Sequence, residues 1–190
     1  PQYHLATLHT YNHTDIPRLQ QGEVDIQFFS IWVDPDSTHY TNYFQRALTM
    51  RDLFYSELTA NPLTIAQAIT IQQALELNNQ NKIAGIIGVE GGHHIQNNLD
   101  YLDTLYNAGM RYLTITWNNS TNWAISARDS RTLTQGLTEF GKQVIRKLDS
   151  LGVIIDVSHV GIKTIQDILA VTTNPIIASH SGARALRDNT

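Results

Sequence analysis

The chain has 190 residues, of which 42% are hydrophobic and 16% charged, and its formal net charge is −4. Such a length is enough for one domain with a sizeable core. The mild negative charge gives no electrostatic reason to expect a nucleic acid or an anionic membrane as a partner. Cysteine is absent, which excludes disulfides and thiolate metal sites, and no apolar run approaches the roughly 20 residues of a membrane-spanning helix. The composition therefore predicts a globular domain and leaves the cell compartment open.

The first half of the chain predicts two strands with helices between them. Residues 24–33 are rich in aromatic and β-branched side chains, which is typical of a strand, and residues 34–36 (Asp-Pro-Asp) end it. Residues 40–58 carry an apolar stripe at helical spacing, and residues 65–77 predict a second helix or a mixture of strand and helix. Residues 83–92 predict a buried strand that ends in a glutamate and two glycines.

The second half continues the alternation of apolar strands and amphipathic helices. Residues 151–159 are apolar on both faces, a pattern typical of a parallel strand that is covered on both sides. The remaining predicted elements are a helix at 99–108 ended by Gly109, a strand at 112–117, a polar loop at 118–134, a helix at 138–148, a helix at 162–171 and a strand at 175–180.

Five predicted strands, most of them alternating with helices, indicate one continuous α/β layer and a single domain over residues 1–190. The last strand–helix–strand unit requires parallel strands with a right-handed crossover. Its two strands end in His159 and His180, so both histidines are predicted at the carboxyl edge of the sheet. That edge carries the active site in α/β barrels.

Three polar residues end three of the predicted strands: Glu90, His159 and His180. One carboxylate with two neutral imidazoles suits zinc or a similar divalent ion, and such an ion lowers the pKa of a bound water towards about 7. The alternative is that each residue is separately hydrogen-bonded at the end of its strand. The residue types and their positions by themselves leave both interpretations open.

Four short motifs occur in a fixed order: 88–93 (Gly-Val-Glu-Gly-Gly-His), 109–114 (Gly-Met-Arg-Tyr-Leu-Thr), 156–159 (Asp-Val-Ser-His) and 178–181 (Ala-Ser-His-Ser). Together they resemble the membrane (renal) dipeptidase family of zinc peptidases, over about residues 14–190. The resemblance implies a (β/α)8 TIM barrel of the metal-dependent hydrolase type, two zinc ions and a dipeptide substrate. It also implies that a hydroxide bridging the two ions attacks the peptide carbonyl.

The resemblance assigns roles to individual residues. Glu90 matches the catalytic carboxylate that bridges both metals, and His159 and His180 match the two histidines on the second metal. Trp117 and Asn118 stand where some relatives place a substrate-binding histidine, so both are assigned to substrate binding. His93 matches the motif without being a ligand and is expected next to the ligand shell.

Other residues of the family pattern are expected outside the chain. The first barrel strand of the family ends in His-x-Asp, and His13-Thr14-Asp15 has this spelling but follows no buried strand. We therefore expect the true pair upstream of Pro1, and the family's arginine and acid/base aspartate beyond Thr190. On this interpretation the chain covers the second to sixth β/α segments of the barrel. By itself it is expected to bind at most one ion and to hydrolyse dipeptides poorly. We also expect it to associate through its open sheet edges, with a homodimer as one candidate assembly.

Four other residues are expected to be structural or solvent-exposed. His94 is expected to be a surface or loop residue, Asp156 a buried structural carboxylate, and Arg184 and Arg187 solvated residues at a helix start. Two alternative functions stay open. One is another metal-dependent hydrolase acting on a lactam, an ester or a cyclic amide, and the other is a non-catalytic barrel module that keeps one metal site.

Overall fold

The computed structural model describes residues 3–36, 40–182 and 185–186. Strands and helices alternate along these residues. The strands are β1 (Ile26–Ile31), β2 (Ile65–Gln67), β3 (Ile83–Glu90), β4 (Met110–Thr114), β5 (Ile154–Asp156) and β6 (Ile176–Ile177). The helices are α1 (Ile16–Gln21), α2 (Tyr43–Ala60), α3 (Ile71–Asn79), α4 (Leu99–Asn107), α5 (Glu139–Leu151) and α6 (Ile162–Val171), and a short 3-10 helix covers Gly92–Ile95.

All strands form one parallel sheet in the order β1-β3-β4-β5-β6. The short strand β2 pairs with the first residues of β3, ahead of the point where β4 joins it. The architecture is therefore α/β, with strands and crossover helices in the order of a (β/α) barrel. Because every strand runs in the same direction, every strand ends at the same edge of the sheet.

The boundaries of several elements differ from those that the sequence predicts. Residues 65–77, predicted as a helix or a mixture of strand and helix, split into β2 and α3, so the described residues contain six strands where the sequence predicts five. The predicted strand at 151–159 shortens to three residues because α5 continues through Leu151 and ends at Gly152, whose φ of 67° is left-handed. The predicted strand at 175–180 pairs over two residues.

The segment at 118–134, predicted as a polar loop, is a loop whose middle part is packed into the fold. Trp123, Ala124, Ile125 and Ser126 are buried, and Ser126 forms an antiparallel bridge with Val160. Pattern-based prediction missed this packing because four residues are too few to show periodicity. The loop consequently reaches the residues that follow β5.

No helix in the part of the chain that the structure describes is long and apolar enough to cross a membrane.

Strand β3 is mostly buried and needs glycine at one position. A Cβ atom on Gly88 would lie 2.0 Å from the ring of Tyr112, which crosses the strand there. The ring packs in turn against Phe28, with ring centroids 5.4 Å apart. Gly88 therefore lets an aromatic ring of β4 lie over β3 just before Glu90.

We expect Gly88→Ala to lower the free energy of unfolding of the full-length protein by about 2–3 kcal/mol, because the tyrosine ring has to move out of its place. Urea unfolding of the two proteins measures the difference. Gly182→Ala is the matched control, since a Cβ atom there meets no heavy atom within 4 Å. Equal losses in the two variants would contradict the steric explanation.

Candidate metal centre

Three predicted site residues lie together at the carboxyl edge of the sheet. Glu90 is the last residue of β3, His159 follows β5, and His180 follows β6. Each offers a ligand atom that lies within 4.8 Å of the other two. The parallel topology explains this arrangement, because it brings the ends of three segments that are far apart in the sequence to one edge of the sheet.

The ligand atoms face one another. His159 Nε2 lies 3.2 Å from Glu90 Oε1, and His180 Nε2 lies 3.9 Å from the same oxygen. The two Nε2 atoms are 2.7 Å apart. Glu90 and His159 are mostly buried, with 20% and 22% of their side chains exposed, whereas His180 is 57% exposed.

This donor set fits a divalent ion. Ligand atoms bound about 2.0–2.2 Å from a tetrahedral zinc ion are roughly 3.4 Å from one another. The two oxygen–nitrogen separations, 3.2 and 3.9 Å, lie on either side of that value, whereas the two Nε2 atoms, 2.7 Å apart, would have to separate to bind the same ion. A carboxylate and two imidazoles are also ligands that zinc accepts at catalytic sites, where a fourth position is left for water or substrate.

His159 is held by its backbone as well as by its ring. Its φ of 65° is left-handed, an uncommon conformation for a residue other than glycine. The carbonyl oxygen of His159 accepts hydrogen bonds from the backbone N–H of Ala127 at 2.8 Å and from the hydroxyl of Thr116 at 3.1 Å. The packed loop therefore keeps the histidine turned towards Glu90.

The second ring nitrogen of each histidine also has a polar partner. His159 Nδ1 lies 3.2 Å from Asn118 Oδ1, and His180 Nδ1 lies 3.0 Å from Ser179 Oγ. Such outer partners fix the orientation of a ligating imidazole. Asn118 reaches its position because its own carbonyl oxygen accepts a hydrogen bond from the hydroxyl of the buried Ser126.

The local charges favour a neutral His159. Burial lowers the pKa of His159, the neighbouring His180 lowers it further, and Glu90 acts in the opposite direction. A neutral imidazole is the form that binds a metal ion. Burial raises the pKa of Asp156, but the hydrogen bonds from Ser179, Thr114 and a backbone N–H outweigh it, so the net pKa of this carboxyl is lowered.

Trp117 lies beside the three ligand side chains. Its ring centroid is 6.2 Å from that of His159 and 5.1 Å from that of Trp32, which follows β1. Asn118 contacts His159 as described. The sequence interpretation placed both residues in substrate binding; the structure places them next to His159, and their role in substrate binding stays a prediction. Trp32 was not singled out, although its place just after an apolar strand is a usable signal.

His93 lies next to the glycine that follows Glu90. Its Nε2 is 2.9 Å from the carbonyl oxygen of Val33, and its ring stands edge-on to Tyr43. A Cβ atom on Gly91 would lie 2.5 Å from His93 Nδ1. His93 therefore packs directly behind the ligand-bearing end of β3, and its functional role stays a prediction.

The expectation of a surface position for His94 is wrong. Its side chain is fully buried, with Nδ1 2.7 Å from the carbonyl oxygen of Gly91. Gly91, at a φ of 104°, turns the chain inwards after β3, so the second histidine of the pair enters the core. Burial and the nearby His93 ring lower the pKa of His94 to about 3.

The remaining candidates are not among the three residues that converge. Asp15 accepts hydrogen bonds at the start of α1 and forms an ion pair with Arg18 at 2.7 Å, which lowers the pKa of Asp15 to about 2. His13, two residues earlier, is exposed. Asp156 is buried and hydrogen-bonded, as predicted. The expectations for Arg184 and Arg187 fall outside the described residues.

A cavity of about 430 Å³ opens beside the ligands. Its lining includes Phe28, Ser30, Tyr112 and Ile177, together with Glu90 and His180. The volume falls within the range of about 300–1,000 Å³ that is usual for small-molecule sites. Ser30 was not predicted, although its side chain points to the same face of β1 as Phe28.

The sequence profile of the membrane dipeptidase family (peptidase family M19) matches residues 2–190. The chain belongs to the membrane dipeptidase family. Mouse (Mus musculus) Dipeptidase 3 is 38% identical over 184 residues, which are 95% of this chain and 36% of the mouse protein. Human (Homo sapiens) Dipeptidase 3 is 37% identical over 190 residues, or 97% of this chain and 38% of the human protein.

Solved structures of metallopeptidases share the fold. The dipeptidase AC, a metallopeptidase of family M19, superposes with a TM-score of 0.83 at 25% identity, covering 93% of this chain and 56% of that one. A metallopeptidase from Rhodobacter sphaeroides, solved with a phosphinate mimic of L-Ala-D-Ala, gives a TM-score of 0.82 at 24% identity, covering 93% and 58%. The predicted fold, part of the family's (β/α)8 barrel, is confirmed.

The chain spans little more than a third of the length of the Dipeptidase 3 proteins that it matches. The resemblance of the four motifs to the membrane dipeptidases is confirmed by the family match.

Proposed function

We propose that the protein containing this chain is a metal-dependent dipeptidase and that Glu90, His159 and His180 hold a divalent ion, zinc by preference. The observation that carries the proposal is the convergence of three ligand atoms within 4.8 Å at the carboxyl edge of the sheet, in a chain of the membrane dipeptidase family. When bound, such an ion polarises a peptide carbonyl and makes water acidic enough to be a nucleophile near neutral pH.

The residues of the chain would position the substrate around this ion. Trp117 and Trp32 form an apolar wall next to His159, and the cavity between Phe28, Tyr112 and His180 is large enough for a dipeptide. Asn118 is proposed to act mainly by holding the His159 ring, because its side-chain oxygen is engaged there. Glu90 is proposed to reach a second ion, whose other ligands would come from other barrel segments.

We further propose that residues 1–190 form the second to sixth β/α segments of one barrel domain. The sheet path supports this, since it places five parallel strands side by side in chain order, with β1 and β6 as the outer strands. A barrel needs eight strands and leaves no sheet edge open. A homodimer stays a prediction that solution scattering of the full-length protein can test.

The test of the proposed function is hydrolysis by the purified full-length protein. We expect it to release free amino acids from members of a dipeptide panel, to lose this activity on treatment with a chelator, and to regain it on addition of Zn²⁺. Activity that is indifferent to the chelator would contradict the proposal. So would hydrolysis of a lactam or ester panel with no dipeptide cleaved, which would favour the other metal-dependent hydrolases on this fold.

A further inference from the structure

Helix α6 begins at Ile162, shortly after His159, and its own sequence provides no capping side chain. Its N-cap residue is Gly161, which has no side chain that could accept a hydrogen bond. The first N–H groups of a helix have no partner inside it, and serine, threonine, aspartate or asparagine at the N-cap usually satisfies one of them. The start of α6 therefore needs acceptors from another part of the chain.

The packed loop (residues 118–134) supplies these acceptors. The hydroxyl oxygen of Thr132 accepts a hydrogen bond from the N–H of Ile162 at 3.1 Å, and its carbonyl oxygen accepts one from the N–H of Lys163 at 2.9 Å. The carbonyl oxygen of Ile125 accepts a hydrogen bond from the N–H of Gly161 at 2.9 Å. Three successive N–H groups at the start of α6 are thus satisfied by a segment that lies well before the helix in the sequence.

Gly161 lets the loop approach this closely because it has no side chain. A Cβ atom on Gly161 would lie 2.7 Å from Thr132 Oγ1 and 2.8 Å from the carbonyl oxygen of Ile125. The φ of Gly161 is −66°, which any residue can adopt, so the requirement for glycine is one of space. A larger residue at this position would push the loop away from α6.

Thr164 makes a reciprocal connection from the first turn of α6 to the loop. Its side chain is fully buried, and its hydroxyl donates to the carbonyl oxygen of Ile125 at 3.0 Å and accepts from the N–H of Ile125 at 3.1 Å. Thr132 on the loop therefore satisfies the backbone of the helix, and Thr164 on the helix satisfies the backbone of the loop. The two segments are joined as one unit.

His159 lies in the stretch of chain that this unit holds. The N–H of Ala127 donates to the carbonyl oxygen of His159 at 2.8 Å, and Ser126 pairs with Val160 in an antiparallel bridge. The left-handed φ of 65° at His159 turns the chain from β5 towards α6. An uncommon backbone conformation of this kind persists only where the surrounding structure holds it. The direction of the His159 side chain therefore depends on the attachment of the loop to α6.

We propose that Thr132 and Gly161 are positioning residues for His159: they attach the packed loop to the start of α6, and this attachment keeps the imidazole directed towards Glu90. The orientation of the ring is a property of the metal-free protein and does not depend on the proposed function. Only the consequence for dipeptide hydrolysis rests on the proposed function.

The deciding variant is Thr132→Val, which keeps the shape of the side chain and removes the acceptor for the N–H of Ile162. We expect α6 to remain folded, because Ile168 holds it in the hydrophobic core. Thr132→Ser keeps the hydroxyl and should behave like the native protein. Gly161→Ala should reproduce the effect of Thr132→Val, since its added carbon would meet the Thr132 hydroxyl.

Thr172→Val is the matched control, because it removes a threonine hydroxyl at the other end of the same helix. That hydroxyl donates to Asp149 Oδ1 at 2.6 Å and belongs to the C-cap residue of α6. Thr172→Val should therefore weaken the attachment of α6 while leaving the contact between the packed loop and Gly161 in place. It separates a general loss of stability from a loss of positioning.

The first measurement is proton–carbon NMR of the histidine rings in the metal-free, full-length protein, at about pH 8, where ordinary imidazoles are neutral. The signals of His159 are assigned by their loss in His159→Gln. They report its orientation because the ring centroid of Trp117 lies 6.2 Å away. We expect these signals to be shifted or broadened in Thr132→Val and Gly161→Ala, and to be native in Thr132→Ser and Thr172→Val.

The second measurement is dipeptide hydrolysis by the same proteins. We expect kcat to fall about tenfold in Thr132→Val, because misplacement of a group at the reacting centre lowers the rate, and to stay native in Thr132→Ser and Thr172→Val. Native His159 signals in Thr132→Val overturn the inference, and so do equal changes in Thr132→Val and Thr172→Val. The expected ring signals in a protein that cleaves no dipeptide would instead refute only the proposed function.

Discussion

Replacing His159 with alanine in the full-length protein should lower kcat/KM for dipeptides by about a thousandfold and remove one equivalent of bound metal. The reason is that His159 is the more buried of the two proposed imidazole ligands, with Nε2 3.2 Å from Glu90 Oε1. Loss of Lewis-acid assistance worth about 4 kcal/mol corresponds to that factor in rate. Turnover and metal content are to be measured on the same preparation, by dipeptide hydrolysis and by elemental analysis.

His13→Ala is the control for this experiment. His13 is exposed and lies outside the group of three ligands, although it stands in a His-x-Asp sequence. We expect its metal content and kcat/KM to stay at the native level. Native zinc content and turnover in His159→Ala would refute the metal site. A loss of zinc and turnover in His13→Ala would make that histidine a candidate ligand.

Acidification from about pH 7 to about pH 4 should lower the free energy of unfolding of the native protein by about 3 kcal/mol because of His94 alone. The pKa of this buried imidazole is about 3 in the folded protein, against about 6.5 in an unfolded chain. A histidine with a lowered pKa binds its proton more readily when unfolded. The contribution of the neutral His94 to the free energy of unfolding is therefore complete above pH 6.5 and is lost as the pH falls towards 3.

The measurement is urea unfolding of the native protein and of His94→Leu at both pH values. The leucine variant cannot be protonated, so its loss on acidification should be smaller by about 3 kcal/mol. His94→Asn, whose amide can donate to the carbonyl of Gly91, is a second variant in case leucine does not fold. Equal acid losses in the native protein and both variants would contradict the prediction.

Carboxylates with a lowered pKa change the free energy of unfolding at lower pH than His94 does, so the two effects can be measured separately. Asp15, with a pKa of about 2, has a lowered pKa mainly because of its hydrogen bond with Arg18. A carboxyl of this kind stabilises the fold above its unfolded pKa of about 4 and loses its contribution only as the pH falls towards 2. His13→Gln, at an exposed histidine, should leave the acid loss between pH 7 and 4 unchanged.

The sequence by itself determined the alternation of elements and the family. Apolar runs of strand length, Gly109 after a helix, and four motifs in order are local features, and they can be recognised in one dimension. Parallel pairing of the strands then placed Glu90, His159 and His180 at one edge, because a crossover connection returns each strand in the same direction.

Only the tertiary structure decided the partners of the ligand residues and the burial of their neighbours. His94 enters the core because Gly91 turns the chain, and the segment that contains Trp123 packs although its sequence shows no period. The link from Asp156 through Ser179 to His180 joins the ends of two neighbouring strands. Such hydrogen bonds depend on the register of the sheet and on distances of a few tenths of an ångström. Spacing along the chain does not contain that information.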